Sequence, residues 1–205
     1  MLPRDERHHL ERVLRLRASE VITVTDGCGS WRTAQLGSLA LADLGPVGFE
    51  PPRPTTLTVA CAWTKSDKPE LTVQKLTEVG IDRIVWFDAS RSIGRRDPAK
   101  WSTLAERLGR VARAAVGQCR RVWVPDVVVG ATFADLATSA NACRADAGGR
   151  RVTGRDSCIL IGPEGGWTDD ERAAVSDHVS LGPHVLRAET AAIIAGAILL
   201  NAHSI

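Results

Sequence analysis

The amino-acid sequence predicts an α/β protein built on a mostly parallel sheet, with a smaller unit in front of it. Three observations carry that expectation. Beyond residue 54, short runs rich in β-branched and aromatic residues alternate with longer amphipathic runs, the pattern of strand–helix–strand units. The stretch "GPVGFEPPRPTT", residues 45–56, places four prolines and two glycines within twelve residues, which neither a helix nor a central strand tolerates. Finally, "CILIGPEGGWTDDE", residues 158–171, runs from an apolar strand through a glycine turn into an acidic helix start.

The elements follow in chain order. In the first unit, residues 1–50, "HHLERVLRL" carries Leu10, Val13 and Leu14 at helical spacing, and "EVITVTDGCGSWRTAQL" reads as two strands about an Asp26-Gly27 turn. Some fifty residues bury too little for an independent core, so this unit is expected to lean on something else. The second unit, residues 55–205, begins with a strand "TLTVACAW", a helix "PELTVQKLTEVG" and a strand "RIVWFDA". Two helices, "AKWSTLAERLGRVARAAV" and "TFADLATSA", precede the strand "CILIG". A helix "DDERAAVSDH", a short strand "VSLG" and a last helix "ETAAIIAGAILLNAH" complete it. In open sheets of this class ligands sit at the carboxyl ends of the strands, where the loops gather.

Composition excludes several functional classes. With 44% hydrophobic residues in a chain of 205 there is enough to build a core. The longest apolar segment, "TAAIIAGAILLNA", is shorter than the roughly 20 residues of a membrane-spanning helix, and the charged N-terminus has no signal-peptide core. A cytoplasmic protein with no membrane partner is expected. Five cysteines without a C-x-x-C pair suggest neither a disulfide framework nor a zinc knuckle, and the adjacent His8 and His9 cannot face one metal from a helix. No metal site is expected.

The net charge is only +2, yet it is unevenly placed. Residues 91–121 hold nine Lys or Arg against two acids, whereas residues 157–205 hold six acids against two bases. The basic segment suits a polyanion, although a charge run by itself is more often a solvated helix face. Within it, the helix from residue 100 to 117 turns Trp101, Leu104, Leu108, Val111 and Ala115 to one side. Arg107, Arg110 and Arg113 recur every third residue on another, where they can meet phosphates.

Two loops carry the candidate chemistry. In the first, Thr168 and Glu171 have capping-box spacing, so a helix should begin at Asp169. A strand, glycine turn and helix start suggest a nucleotide, but the turn lacks P-loop and G-x-G-x-x-G spacing, and Glu164 would repel a phosphate. An adenosine carrying positive charge suits the turn better; a plain tight turn is the competing account. The second loop, "LGPHVLRAETA", residues 181–191, brings Arg187, Glu189 and Thr190 to the start of the last helix. No Ser-His-Asp or Cys-His set is recognisable, so covalent catalysis finds no support.

The segments "KSDKPELTVQKLTEVGI", "ILIGPEGGWTDDE" and "LGPHVLRAETA" resemble, in order and spacing, the signature segments of the RsmE-type small-subunit ribosomal RNA uridine-N3 methyltransferases, a branch of the SPOUT superfamily. The resemblance implies a PUA-like β-barrel followed by a SPOUT α/β domain with a trefoil knot, in which S-adenosylmethionine binds bent among the knot loops. It further implies a homodimer, with active sites near the subunit interface, acting on a uridine of 16S rRNA in the assembled small subunit. For the cofactor it points to Ile161, Gly162, Pro163, Glu164, Gly165 and Gly166 in one loop, and to Leu181, Gly182, Val185, Leu186, Arg187, Thr190 and Ala191 in the other. Glu189 falls in the same motif. Lys65, Lys75, Thr77 and Glu78 match the first segment, on the RNA side.

Toward RNA we assign Arg12, Arg15 and Arg17 in the first unit, and Lys65, Lys75, Arg107, Arg110, Arg113, Gln118 and Arg121 in the second. The family pattern Glu-Ala-Ala-Glu-Gln-Ser-Gly-Arg appears here as "AAVGQCRR", which retains Gln118 and Arg121 but neither glutamate. The chain also starts almost at the "HHLERVLRLR" helix, where the family usually has an extra strand or so in front, so either an incomplete barrel or a misplaced start codon is expected.

Methyl transfer from a sulfonium needs alignment more than a nucleophile, which agrees with the absence of a recognisable triad. Uridine N3 must lose a weakly held proton, and the expected catalytic set is Arg187 to stabilise the resulting charge, with Glu189 or Glu164 to orient groups or accept the proton. The competing readings are a non-catalytic RNA-binding protein and a dinucleotide-dependent oxidoreductase, the latter lacking its glycine fingerprint.

Overall fold

The computed structural model describes residues 17, 20–37, 41–43, 45–65, 68–93, 97–139 and 141–203. The chain divides into two compact units, Met1–Pro52 and Arg53–Ile205. The "HHLERVLRL" segment, with Arg12 and Arg15, lies outside the described residues.

The first unit is an antiparallel sheet organised by one strand. β1 (Val21–Thr25) pairs with β2 (Ser30–Leu36) through the register Val21↔Gln35 to Thr25↔Trp31. Between them the Asp26 carboxylate accepts from Cys28 N at 2.7 Å and Ser30 N at 3.1 Å. The bonds from Cys28 and Ser30 hold the carboxyl below its ordinary range. Gly27 and Gly29 take φ of +76° and +97°, so the turn needs its glycines. The sequence suggested two strands; β3 (Leu41–Asp43) and β4 (Gly48–Phe49) also pair with β2, on its later and earlier halves. At three and two residues they are too short to show a period of their own.

The second unit contains β5 (Thr58–Ala62), α1 (Pro69–Val79), β6 (Arg83–Asp88), α2 (Trp101–Cys119), β7 (Asp126–Thr132), α3 (Phe133–Ala137), β8 (Ala142–Arg150), β9 (Cys158–Ile161), α4 (Asp169–Ala174), β10 (His178–Val179) and α5 (Ala188–Ala202). The strands form one sheet in the order β10-β8-β9-β5-β6-β7, and every pairing is parallel. Alternate residues of β5, β6 and β9 enter opposite cores. Val59, Cys61, Ile84, Trp86 and Ile159 pack with Leu76 of α1, Leu108 of α2 and Leu199 of α5. Ala60, Val85, Phe87 and Leu160 pack with Leu136 of α3 and with Trp167. Burial on both faces explains why these strands read as unbroken apolar runs.

Several elements differ from the sequence expectation. β7 and β8 are additional strands. β8, "ACRADAGGR", contains almost no good strand former and is held by its neighbours, with Ala142↔Cys158 and Arg144↔Leu160 on one side and His178↔Arg144 on the other. In β7, Gly130 at φ +87° stands at a bulge opposite Trp86 and Phe87, and an added Cβ there would lie 2.1 Å from the Trp101 ring. α3 and α4 end earlier than their patterns suggest, α4 because the chain passes into β10.

Candidate active site at the carboxyl edge of the sheet

α1 leaves the carboxyl end of β5, and α5 runs beside it in the same direction. At their starts Lys68 Nζ is 4.0 Å from Glu189 Oε1. Further along, Gly196 lets α5 pack closely on α1, since a Cβ there would lie 2.6 Å from Leu76 Cδ2 and force that side chain to shift. At the far end the His203 ring, just after α5, lies 2.8 Å from the Asp156 carbonyl oxygen, ahead of β9. α5 therefore begins at the carboxyl edge of the sheet and ends at the amino edge. The segments before α1, after β9 and before α5 all lie at this carboxyl edge, although they are far apart in the chain.

The loop after β9 is tightly built. Gly166 N donates to the Pro163 carbonyl at 2.9 Å, closing a turn, and Gly166 takes φ +68°. Trp167 packs under it: a Cβ on Gly162 would lie 2.8 Å from the indole, and indole Nε1 donates to the Ala145 carbonyl at 3.0 Å. The same ring stacks on Phe87 with centroids 6.4 Å apart. Thr168 and Glu171 form the capping box that starts α4. Glu171, only 3% exposed, also accepts from Ser90 N at 2.8 Å. Its burial acts to raise its pKa, but the hydrogen bonds from Ser90 and Thr168 outweigh that and lower it. From the turn after β6, Arg91 Nη1 donates to the Gly165 carbonyl at 3.0 Å and the Trp167 carbonyl at 3.3 Å. Ile161 and Pro163 are buried by this arrangement, Gly162 is half-buried, and Glu164 and Gly165 remain exposed.

In the other loop Ser180 Oγ donates to the Gly182 carbonyl at 3.2 Å and accepts from Gly182 N at 3.3 Å. Gly182 has φ +143° and open space where a side chain would be. Leu181, Leu186 and Ala191 are half-buried, while Val185, Arg187 and Thr190 are exposed. Arg187 is the N-cap residue of α5, and its carbonyl accepts from Ala191 N at 2.8 Å. The Glu189 side chain is 16% exposed, beside Lys68.

The residues assigned to RNA are distributed unequally. Arg110, Arg113 and Gln118 project from the exposed face of α2. Arg107 on that face is paired with Glu70 at 2.6 Å, and with Asp97, Lys100, Trp101, Thr103 and Leu104 it borders a groove of about 590 Å³. Lys65 is exposed at the end of β5, whereas Lys75 is half-buried and paired with Glu78 at 2.8 Å. Arg121 has a structural task at the opposite edge: its Nη1 donates to the Thr77 and Ile81 carbonyls, both at 2.9 Å, completing the end of α1. Arg17 is exposed in the first unit.

The sequence reading assigned no site role to Ser90 or Trp167, and it marked Lys68 only as part of the first motif segment and Arg91 only as the start of the basic segment. Only Trp167 had a local signal, a large apolar residue directly after two glycines.

Residues 51–200 match the family described as RNA methyltransferase domain, and residues 2–40 match RNA methyltransferase PUA domain. The ribosomal RNA small subunit methyltransferase E of Mycobacterium tuberculosis is 31% identical over 93% of this chain and 82% of its own length. The chain belongs to this RNA methyltransferase family. The family's Bacillus subtilis ribosomal RNA small subunit methyltransferase E is 28% identical over 93% of this chain and 85% of its length. Among solved structures, the Neisseria gonorrhoeae ribosomal RNA small subunit methyltransferase E bound to S-adenosyl methionine superimposes with a TM-score of 0.82 at 25% identity, covering 98% of this chain and 90% of that one. A methyltransferase of this family fold from Legionella pneumophila, in complex with the same cofactor, gives 0.83 at 26% identity over 98% and 90% of the two chains.

Proposed function

We propose that this chain uses S-adenosylmethionine to methylate N3 of a uridine in 16S rRNA of the small ribosomal subunit, in the cytoplasm. The observation that carries the proposal is the gathering of the loops at residues 162–168 and 181–190 at one edge of the sheet, in a chain of this family. The residues suit the cofactor. Gly166 and Gly182 have open space where side chains would lie, so backbone groups can approach an adenosine closely. Glu164 is exposed and suits a cationic ligand better than a phosphate.

When bound, S-adenosylmethionine supplies an electrophilic methyl group. In this reading the backbone of residues 161–166 and 181–186, with Thr190 and Ala191, holds the adenosine. Arg187, exposed at the start of α5, stabilises negative charge on the uracil oxygens, helped by the partial positive charge of that helix end. Glu189 is the better-placed proton acceptor because its side chain is shielded, with Lys68 fixing its orientation, while Glu164 orients the ligand. Arg107, Arg110, Arg113 and Gln118 on α2, with Lys65 and Lys75, hold the RNA backbone. We include a homodimer in the reading: α5 is apolar on nearly every side, with Ala197 exposed and Ile193, Ile194 and Ile198 only half-buried, and a helix of that kind is ordinarily covered.

The test is methylation of small subunits from a strain lacking the activity, followed by mapping of the modified atom. Transfer to a single uridine N3 is expected. A methyl group on another atom, or none, counts against the proposal, and a sedimentation mass of a single chain counts against the dimer.

A further inference from the structure

The turn after β6, whose Arg91 only opens the basic segment read from the sequence, is bonded directly to the loop after β9. It is a closed unit of its own, since Ser92 N donates to the Ala89 carbonyl at 3.0 Å and Ala89 N donates to Ser92 Oγ at 3.1 Å. From it two ties run to the loop after β9. Ser90 N donates to the buried Glu171 carboxylate, and Arg91 Nη1 bridges the carbonyls of Gly165 and Trp167. Those carbonyls flank Gly166, the residue held at positive φ.

The approach is close: a Cβ at Gly165 would lie 3.1 Å from Arg91 Cβ, tight enough that the two segments would have to move slightly apart. Because β6 and β9 flank β5 on opposite sides, the bridge crosses the carboxyl end of β5, in the middle of the candidate site.

We infer that Arg91 is a positioning residue for the cofactor, latching the GPEGGW loop in the shape that receives the adenosyl group. This rests on the methyltransferase reading above. Arg91 touches neither base nor methyl group in this role. It acts through the Gly165 and Trp167 carbonyls by removing alternative conformations of the turn, so its contribution belongs to binding of S-adenosylmethionine and not to the chemical step. Because a single nitrogen makes both hydrogen bonds, a lysine ammonium can replace much of the interaction, whereas alanine cannot.

The experiment compares wild type, Arg91→Ala and Arg91→Lys. It measures S-adenosylmethionine affinity by calorimetry, kcat at saturating cofactor on small subunits, exchange of the Gly166 amide and thermal stability. Arg91→Ala should weaken cofactor binding about tenfold and speed Gly166 exchange, with kcat at saturation within about threefold of wild type. Arg91→Lys should recover most of the affinity. Wild-type affinity and Gly166 exchange in Arg91→Ala would overturn the inference alone. A loss of affinity that lysine does not restore and that tracks a general fall in thermal stability would reduce Arg91 to a fold stabiliser. Absence of cofactor binding by the wild-type chain would remove the methyltransferase reading and this inference together.

Discussion

Lys68, the residue before the first turn of α1, and Glu189, in the first turn of α5, face each other with Nζ and Oε1 4.0 Å apart. The contact joins two motifs separated by more than half the chain. It also places a lysine next to the carboxylate assigned as proton acceptor. Lys68 is 58% exposed, so as an ion pair it contributes at most about 1 kcal/mol to stability. Lys68→Ala should therefore leave the melting temperature nearly unchanged while lowering the rate of methyl transfer. If activity and stability are both unaffected, the pair has no catalytic meaning.

Arg187→Ala should abolish turnover and largely spare cofactor affinity, because the side chain is exposed at the edge of the site and its backbone alone caps α5. Calorimetry and single-turnover methylation on small subunits separate the two quantities. Unchanged methylation removes Arg187 from the mechanism.

Trp167 supports the glycine loop from beneath, 3% exposed, stacked on Phe87 and bonded to the Ala145 carbonyl. Trp167→Ala should cost about 3–5 kcal/mol. Denaturant unfolding gives that figure. Trp167→Phe, which keeps the stack and loses the indole donor, should cost about 1–3 kcal/mol by leaving the carbonyl without its partner. Equal losses in the two variants would show that stacking contributes little.

Glu171 makes stability pH-dependent with a definite sign. Its folded-state pKa lies below the ordinary value, so the stabilisation is present above about pH 4.3 and disappears as the pH falls through the lowered folded value. Glu171→Gln should be less stable than wild type at pH 7, by about 1–3 kcal/mol, and the gap should narrow on acidification. A gap that stays constant down to about pH 3 would mean that the carboxylate charge is not what matters.

Arg110 and Arg113 are exposed on α2, the helix whose first turns border the groove lined by Trp101 and Arg107. Replacing both with alanine should weaken small-subunit binding and flatten its dependence on salt, by about one unit of log–log slope per arginine. Arg121→Ala serves as the contrast. Arg121 completes the end of α1, so its loss should lower thermal stability and leave the salt slope unchanged.

What the amino-acid sequence determined by itself is local. Thr168 and Glu171 stand three apart and so build the capping box at α4. The apolar runs of β5, β6 and β9 reflect burial on both faces, and Asp26-Gly27 sets the β1–β2 turn through bonds spanning at most four residues. Together with the three motif segments, these marked out the α/β class and the two loops proposed to hold the cofactor. β8 was not legible, because its residues have no strand preference and obtain their ladder only from β9 and β10. Nor was Arg91, whose partners lie 74 and 76 residues away, or the different fates of Arg110 and Arg121 within one basic segment. Helical spacing sets the side on which a residue projects, but strand order decides what waits there. Only tertiary structure brought β6 and β9 to either side of β5, and with them an arginine to the glycine loop.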